Sequence, residues 1–268
     1  MKNKNRIDIW LVENAYCNSR QKAQALIMSG LVYRDEVKIL KASEIVAEND
    51  NIIVREKEHN YVSRGALKLE KALNKFHANV ADKVCVDIGA ATGGFTDVLL
   101  KNNAKHVYAI DVGYGQFAWE LRTDSRVTLM ERVNARFLTA DMFVELPQIA
   151  VMDVSFISIK LIIPKAFEIM GDQGLFYVLI KPQFEAGREN IGKNGVVKDA
   201  SIHEKVIFDI IQFLNEQNLC ISQLDYSPIK GPKGNIEYIC EIGKNTNLKA
   251  IDINLVKQVV HAAHQELD

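Results

Sequence analysis

Three acids close short apolar runs: Asp87 in Val84-Cys-Val-Asp-Ile-Gly-Ala-Ala-Thr-Gly-Gly-Phe95, Asp111 in Val107-Tyr-Ala-Ile-Asp111, and Asp153 in Val151-Met-Asp153. If the runs are parallel strands, side chains beyond their carboxyl ends face a ligand crevice. The first run opens into a turn with Gly89, Gly93 and Gly94. A dinucleotide site would instead need Gly-x-Gly-x-x-Gly, which brings a helix N-terminus against a pyrophosphate. Asp87 would repel that phosphate. A carboxylate beside a tight glycine turn suits a ligand with positive centres and no phosphates, and S-adenosylmethionine is the common one. Asp111 is placed to accept hydrogen bonds from ribose hydroxyls. The bland alternative is a tight strand–helix turn without ligand for Asp87, and a helix cap for Asp111 and for Asp153.

Lys181 follows the apolar run Leu175-Phe-Tyr-Val-Leu-Ile180 and precedes Pro182, so it is either partly desolvated at a cleft or an edge lysine in solvent. Glu237 opens the last strand-like run, in Gly234-Asn-Ile-Glu-Tyr-Ile239. If that strand is antiparallel to its neighbours, Glu237 lies at their carboxyl edge and meets Asp153 and Lys181. Asp153 is followed by Val-Ser-Phe156. The Asn/Asp-Pro-Pro-Tyr grip of amine methylases and the Pro-Cys nucleophile of cytosine-C5 methylases are both missing there. Lys68 reads as one of three lysines, with Lys71 and Lys75, on the solvated side of a helix whose other side carries Ala66, Leu69, Leu73 and Phe76. The six histidines show no metal spacing.

The elements that must position these residues follow from periodicity. Strands are predicted at about 84–88, 107–111, 127–130, 149–153 and 175–180, short and apolar enough for a parallel sheet covered on both faces. Helices are predicted near 64–76, 203–217 and 249–266, with further strands near 221–227 and 236–242. Alternating strands and helices predict a doubly wound α/β sheet. Residues 1–60 differ. Helices are expected at Ile7–Glu13 and at Arg20–Ser29, the second capped by Asn18 or Ser19 and stopped by Gly30. Strand-like pieces come next at 31–33, 37–39 and 52–54, then a charged linker at about 55–62. Basic residues gather here (Lys2, Lys4, Arg6, Arg20, Lys22, Arg34, Lys38, Lys41), which suits either phosphate contact or a solvated surface.

Composition bounds the class. The 268 residues allow one large domain, or one ordinary domain and a small module. A net charge of -1 leaves nucleic-acid binding to local basic patches. Cys17, Cys85, Cys220 and Cys240 lack disulfide or zinc spacing, and a reducing cytoplasm fits them. No apolar run approaches the ~18–20 residues of a membrane helix. The start has the charge of a signal peptide, but Asp8 and Glu13 interrupt the apolar residues after it and no small-residue cleavage site is seen.

The chain resembles the TlyA family, described both as hemolysins and as rRNA 2′-O-methyltransferases. Arg6-Ile-Asp, Ser19-Arg-Gln-Lys-Ala and Ser29-Gly-Leu-Val look like an S4-type RNA-binding domain. Tyr61 through Leu69, Asp87 through Thr96, Asp153 through Ser158, Lys181 through Glu185 and Gly231 through Glu237 are similar to the motifs of an FtsJ-like catalytic domain. The resemblance covers nearly the whole chain. It implies a Rossmann-like S-adenosylmethionine-dependent methyltransferase sheet at 61–268 and a small S4-like α+β RNA-binding domain at 1–60. It implies a catalytic tetrad of Lys68, Asp153, Lys181 and Glu237, which reverses the bland reading of Lys68. In it Lys181 would act as the base, neutral when it acts, with Lys68 repelling a second cation.

The methyl donor would be held by Asp87, Gly89, Ala90, Thr92, Gly93, Gly94, Phe95, Asp111, Asn134 and Phe156, and RNA by Arg6, Arg20, Arg64, Arg132 and Arg188. Lys233 stands where some relatives carry a small polar residue. The implied partner is ribosomal RNA in ribosomal particles, at cytidines of 16S and/or 23S rRNA. A cytoplasmic monomer without metal or membrane is expected. The rival expectations are a membrane-active hemolysin, a non-catalytic RNA-binding factor on the same fold, and a base methylase.

Overall fold

The computed structural model describes residues 4–28, 30–47, 49–54 and 60–268. They fall into two compact units, Met1–Asn60 and Tyr61–Asp268. In the first, strand β1 (Lys4–Arg6) leads into helices α1 (Ile7–Glu13) and α2 (Arg20–Met28), followed by strands β2 (Val32–Arg34), β3 (Val37–Lys38), β4 (Ile45–Ala47) and β5 (Ile52–Val54). β1 pairs antiparallel with β4, and β3-β2-β5 form an antiparallel sheet. Ile7, Leu11, Ala23, Ile27, Val32, Ile39, Val46 and Ile52 form its core. Of the two expected caps, Ser19 accepts from the Lys22 amide at 3.3 Å. β1 and β4 are not among the expected strands; β1, Lys4-Asn-Arg6, has no apolar residue to mark it. Ser29 and Lys2 lie outside the described residues, as do positions 55–59 of the expected linker.

The second unit runs α3 (Ala66–Lys75), β6 (Val84–Ile88), α4 (Gly94–Lys101), β7 (His106–Asp111), α5 (Trp119–Arg122), β8 (Val127–Glu131), β9 (Ile149–Met152), α6 (Ile163–Met170), β10 (Leu175–Ile180), α7 (Pro182–Glu185), α8 (Ala200–Glu216), β11 (Leu219–Tyr226), β12 (Tyr238–Lys244) and α9 (Ile253–Leu267). The sheet order is β11-β12-β10-β9-β6-β7-β8. Five strands are parallel, while β12 runs antiparallel to both β10 and β11. Apolar residues point both ways from the strands, as a doubly covered sheet requires. Val86, Ile88, Met152, Val178 and Ile180 face one core with α6, α8 and α9, and Cys85, Val151, Tyr177 and Leu179 face another with α3 and α4.

This topology gathers the carboxyl ends of β6, β7, β9 and β10 at one edge. It also brings the start of β12 there, because that strand runs the other way. On α3 the arrangement differs from the helical-wheel reading: Lys68 is buried with Ala66, Leu69, Ala72 and Leu73, while Lys75 is exposed. A lysine tolerates such a position only when its charge is paired.

Candidate active site

A cleft at this edge is lined by the loop after β6, the start of α3, the residues after β9 and β10, and the segment 229–231. Two close approaches build it. A Cβ at Gly89 would come within 2.9 Å of the Asp153 backbone oxygen, and one at Gly94 within 2.4 Å of Ser63 Oγ. Glycine at these positions therefore lets the β6 loop touch both the end of β9 and the approach to α3.

On the cleft floor Lys68 Nζ lies 3.1 Å from Asp153 Oδ2 and 2.7 Å from Glu237 Oε2. Lys181 Nζ lies 2.5 Å from Asp153 Oδ1 and donates to Ser155 Oγ at 3.0 Å. Asp153 thus stands between two ammonium groups. Burial works against its charge, and Lys68 and Lys181 outweigh burial, so its carboxyl is held below the usual carboxylate range. Burial likewise opposes the charge on Lys68, and Asp153 and Glu237 outweigh it, raising the ammonium above its ordinary value. Glu237 is fully buried just before β12 and receives Gln183 Nε2 on Oε1 at 3.1 Å. The expected contact of Glu237 with Asp153 is made through Lys68, and Lys181 bonds Asp153 and Ser155 instead of Glu237.

Gly89, Ala90, Thr92, Gly94 and Phe95 line the cleft wall beside the tetrad. Gly93 sits one step behind, with φ 93°, as the residue that turns the loop into α4. Asp87 is not on the wall. It is fully buried, and its Oδ2 accepts from the Thr96 amide at 2.9 Å and from Thr96 Oγ1 at 2.7 Å. Burial, offset in part by Thr96, pushes this carboxyl up to about 7. Its Oδ1 is buried without a hydrogen-bond partner. Asp111 closes β7 and accepts from the amides of Ala91 at 2.8 Å and Gly113 at 2.6 Å, fixing the loop from the other side. Asn134 caps a short 3-10 turn after β8. Phe156 is 91% exposed, rests against Phe184 with ring centroids 5.1 Å apart, and does not line the cleft.

The five arginines are spread over both units. Arg64 lines the cleft and donates to the Lys230 carbonyl at 3.3 Å. Arg132 is exposed with its guanidinium 4.4 Å above the Tyr114 ring, and Arg188 is exposed in a 3-10 turn. Arg6 and Arg20 both bond the buried Asp8, at 3.0 and 2.8 Å, so each is tied into its own unit. Sequence reading missed Ser155, Gln183 and Glu185. The last accepts from Ser158 Oγ at 2.7 Å and from the Ile159 amide at 2.8 Å. For Gln183 and Glu185, alternation with Lys181 in Lys181-Pro-Gln-Phe-Glu185 was the available signal. Among the described residues no cluster could hold a metal ion.

Five parallel strands extended by an antiparallel pair, with a glycine turn after the first strand and an acid after the second, define a Rossmann-like methyltransferase. Residues 61–244 match the FtsJ-like methyltransferase family, and residues 5–52 match the S4 domain. The chain is 43% identical over 235 residues to hemolysin A of Brachyspira hyodysenteriae, covering 87% of this chain and 98% of that one. It is 38% identical over 262 residues to the 16S/23S rRNA (cytidine-2′-O)-methyltransferase TlyA of Mycobacterium tuberculosis, 97% of each chain. A solved structure of a hemolysin-named protein from Streptococcus thermophilus superposes with TM-score 0.78 at 42% identity, covering 99% of this chain and 98% of that one. The chain belongs to the TlyA family, an S4 domain followed by an FtsJ-like methyltransferase.

That family implies S-adenosylmethionine, and the residues fit it. Asp87 already occupies the Thr96 amide at the start of α4, which a pyrophosphate would need. The small side chains of the wall leave the backbone open to a flat adenosyl group, and the carboxylate of Asp153 faces the same space.

Proposed function

We propose that this chain is an S-adenosylmethionine-dependent methyltransferase acting on the 2′-hydroxyl of cytidine in 16S and/or 23S ribosomal RNA, with Lys68, Asp153, Lys181 and Glu237 as its catalytic residues. The observation that carries the reading is the unbroken chain Lys181–Asp153–Lys68–Glu237, with each contact between 2.5 and 3.1 Å, at the floor of the cleft. The relatives' names supply the acceptor class, and the absence of an amine-gripping motif after β9 agrees with an oxygen acceptor.

A ribose hydroxyl is a poor nucleophile at neutral pH, so the site must both orient it and remove its proton. S-adenosylmethionine, when bound, supplies an electrophilic methyl group on a sulfur that leaves with the C–S electron pair. Gly89–Phe95 and Asp111 are the residues that would hold it. Lys181 Nζ, acting as the free amine, takes the hydroxyl proton as the new C–O bond forms. Asp153 holds Lys181 and Lys68 in register, and Glu237 anchors Lys68. Because the Asp153 carboxylate stands between the two lysines, repulsion between them is offset in the resting site. Arg64, Arg132 and Arg188 would meet RNA phosphates near the cleft, and Arg6 and Arg20 would do so from the S4 unit.

Two experiments test the reading. Ribose methylation is mapped on rRNA from cells with and without this protein, and loss at one or more cytidines is expected. Lys181→Ala should abolish transfer in a single turnover, and full transfer would sink the base assignment. The hemolysin name carried by some relatives invites a membrane-lysing alternative. No helix of the described residues is long and apolar enough to cross a membrane. Liposome leakage that survives tetrad substitution would favour that alternative.

A further inference from the structure

Lys181-Pro-Gln-Phe-Glu185 places polar side chains at alternate positions, and they reach three different parts of the site. Lys181 takes Asp153 and Ser155, Gln183 takes Glu237, and Glu185 takes Ser158 and Ile159. The middle one is the least expected. Gln183 is 7% exposed and Glu237 is fully buried, so solvent cannot replace their bond. Glu237 gives Oε2 to Lys68 and Oε1 to Gln183. Its carboxylate is also fenced by backbone, since a Cβ at Gly231 would fall 2.2 Å from Oε1.

The charged groups around Glu237 are few. Lys68 faces it from α3, with Asp153 and Lys181 beyond, and Lys230, beside Gly231, is turned to Asp268 at 3.1 Å. Among the described residues Gln183 is therefore the neutral donor on this carboxylate. Its own Oε1 is buried with no partner. An unpartnered buried acceptor is costly. Turning the amide over would set oxygen against carboxylate, so the amide keeps the orientation that Glu237 requires.

We propose that Gln183 is a positioning residue for methyl transfer: its amide fixes the rotation of the Glu237 carboxylate so that Oε2 stays on Lys68, and so sets Lys68 against Asp153. The inference rests on the tetrad reading above. Without that donor Oε1 is buried and unpaired, and the carboxylate is no longer held in place. A Glu237 turned off Lys68 leaves the ammonium to Asp153 alone.

The test uses Gln183→Met, which keeps the volume and removes the donor, and the isosteric Gln183→Glu. Both are made in the full chain and assayed with S-adenosylmethionine and with 30S and 50S subunits from cells lacking this methylation. At neutral pH kcat should fall by about tenfold or more, with the KM for S-adenosylmethionine unchanged to within about twofold. A folded variant that keeps the wild-type kcat overturns the inference. Should either variant fail to fold, the wild-type protein supplies a separate reading by NMR. The Gln183 side-chain amide should exchange slowly and shift when Glu237→Gln is made, whereas exchange at the solvent rate overturns the inference. The two readings fail separately. Active Lys181→Ala removes the tetrad mechanism and leaves the amide signal to report on Gln183, while inactive Lys181→Ala beside unaffected Gln183 variants removes Gln183 alone.

Discussion

The buried carboxyl of Asp87 shows how a residue can hold a cleft wall without lining it. Its folded value is raised to about 7 because it is fully buried, and the bonds from Thr96 offset that only in part. A raised carboxyl binds its proton more tightly in the folded chain than in the unfolded one. It therefore costs stability increasingly as pH climbs from about 4 to about 7, and the cost is complete above that. Asp87→Asn keeps an acceptor for Thr96 and removes the titration. Its melting temperature relative to wild type should be higher at pH 8 than at pH 5, and calorimetry giving the same difference at both would refute this account of Asp87. Lys68 should show the opposite burden. Lys68→Met leaves Glu237 buried without its cation and Asp153 with Lys181 alone, and should cost about 3 kcal/mol in denaturant unfolding. Adding Glu237→Gln should recover part of that loss, because the stranded charge is then gone. Asp153, Lys181 and Glu237 could be singled out from sequence because each borders an apolar run, the first two at its end and Glu237 at its start. Lys68 could not, because a helical wheel places it beside Lys71 and Lys75, and only the distant Glu237 makes its burial tolerable.

At the scale of elements, the long regular pieces were the readable ones. β6, β10 and α8 carry enough apolar residues to declare their period, and the antiparallel final strand that delivers Glu237 followed from the sheet class. The contacts that make a site of these elements were not readable, since Ser155, Gln183 and Glu185 act through partners far away in sequence. The same holds in the first unit. There the buried Asp8 on α1 gathers Arg6, Arg20 and Gln24, stitching α1 to α2. The bond from Arg6, opposed by burial and reinforced by Arg20, holds its carboxyl below the ordinary range. A depressed carboxyl lends stability that is present above its unfolded value near about 4 and is lost as pH falls through the folded value. Asp8→Asn should speed amide exchange of the residues between β1 and β5 by about tenfold. Protection of β6 and β10 should stay unchanged, since they belong to a separate core. Equal loosening of both units would show that Asp8 does not act locally.

For the molecule as a whole, a net charge of -1 means that RNA attraction cannot come from the overall field and must be summed from local arginines. Arg6 and Arg20 are poor probes of that sum, because removing either also disturbs Asp8. Arg132 and Arg188 are exposed, so truncating them tests contact more cleanly. If each meets one phosphate, binding to ribosomal subunits should weaken, and the slope of log K against log salt should shrink by about 0.7–0.9 per arginine. Asp153→Asn, placed in the cleft floor, should leave that slope alone even if it abolishes transfer. The fragment Tyr61–Asp268 then divides the work between the units. It contains the whole cleft, so calorimetry should find its affinity for S-adenosylmethionine equal to that of the full chain. Its salt slope should be smaller by the phosphates that the S4 unit neutralises. A fragment with the full slope and normal methylation of the subunits would place RNA selection entirely in the catalytic unit, and would leave Arg6 and Arg20 with a structural task alone.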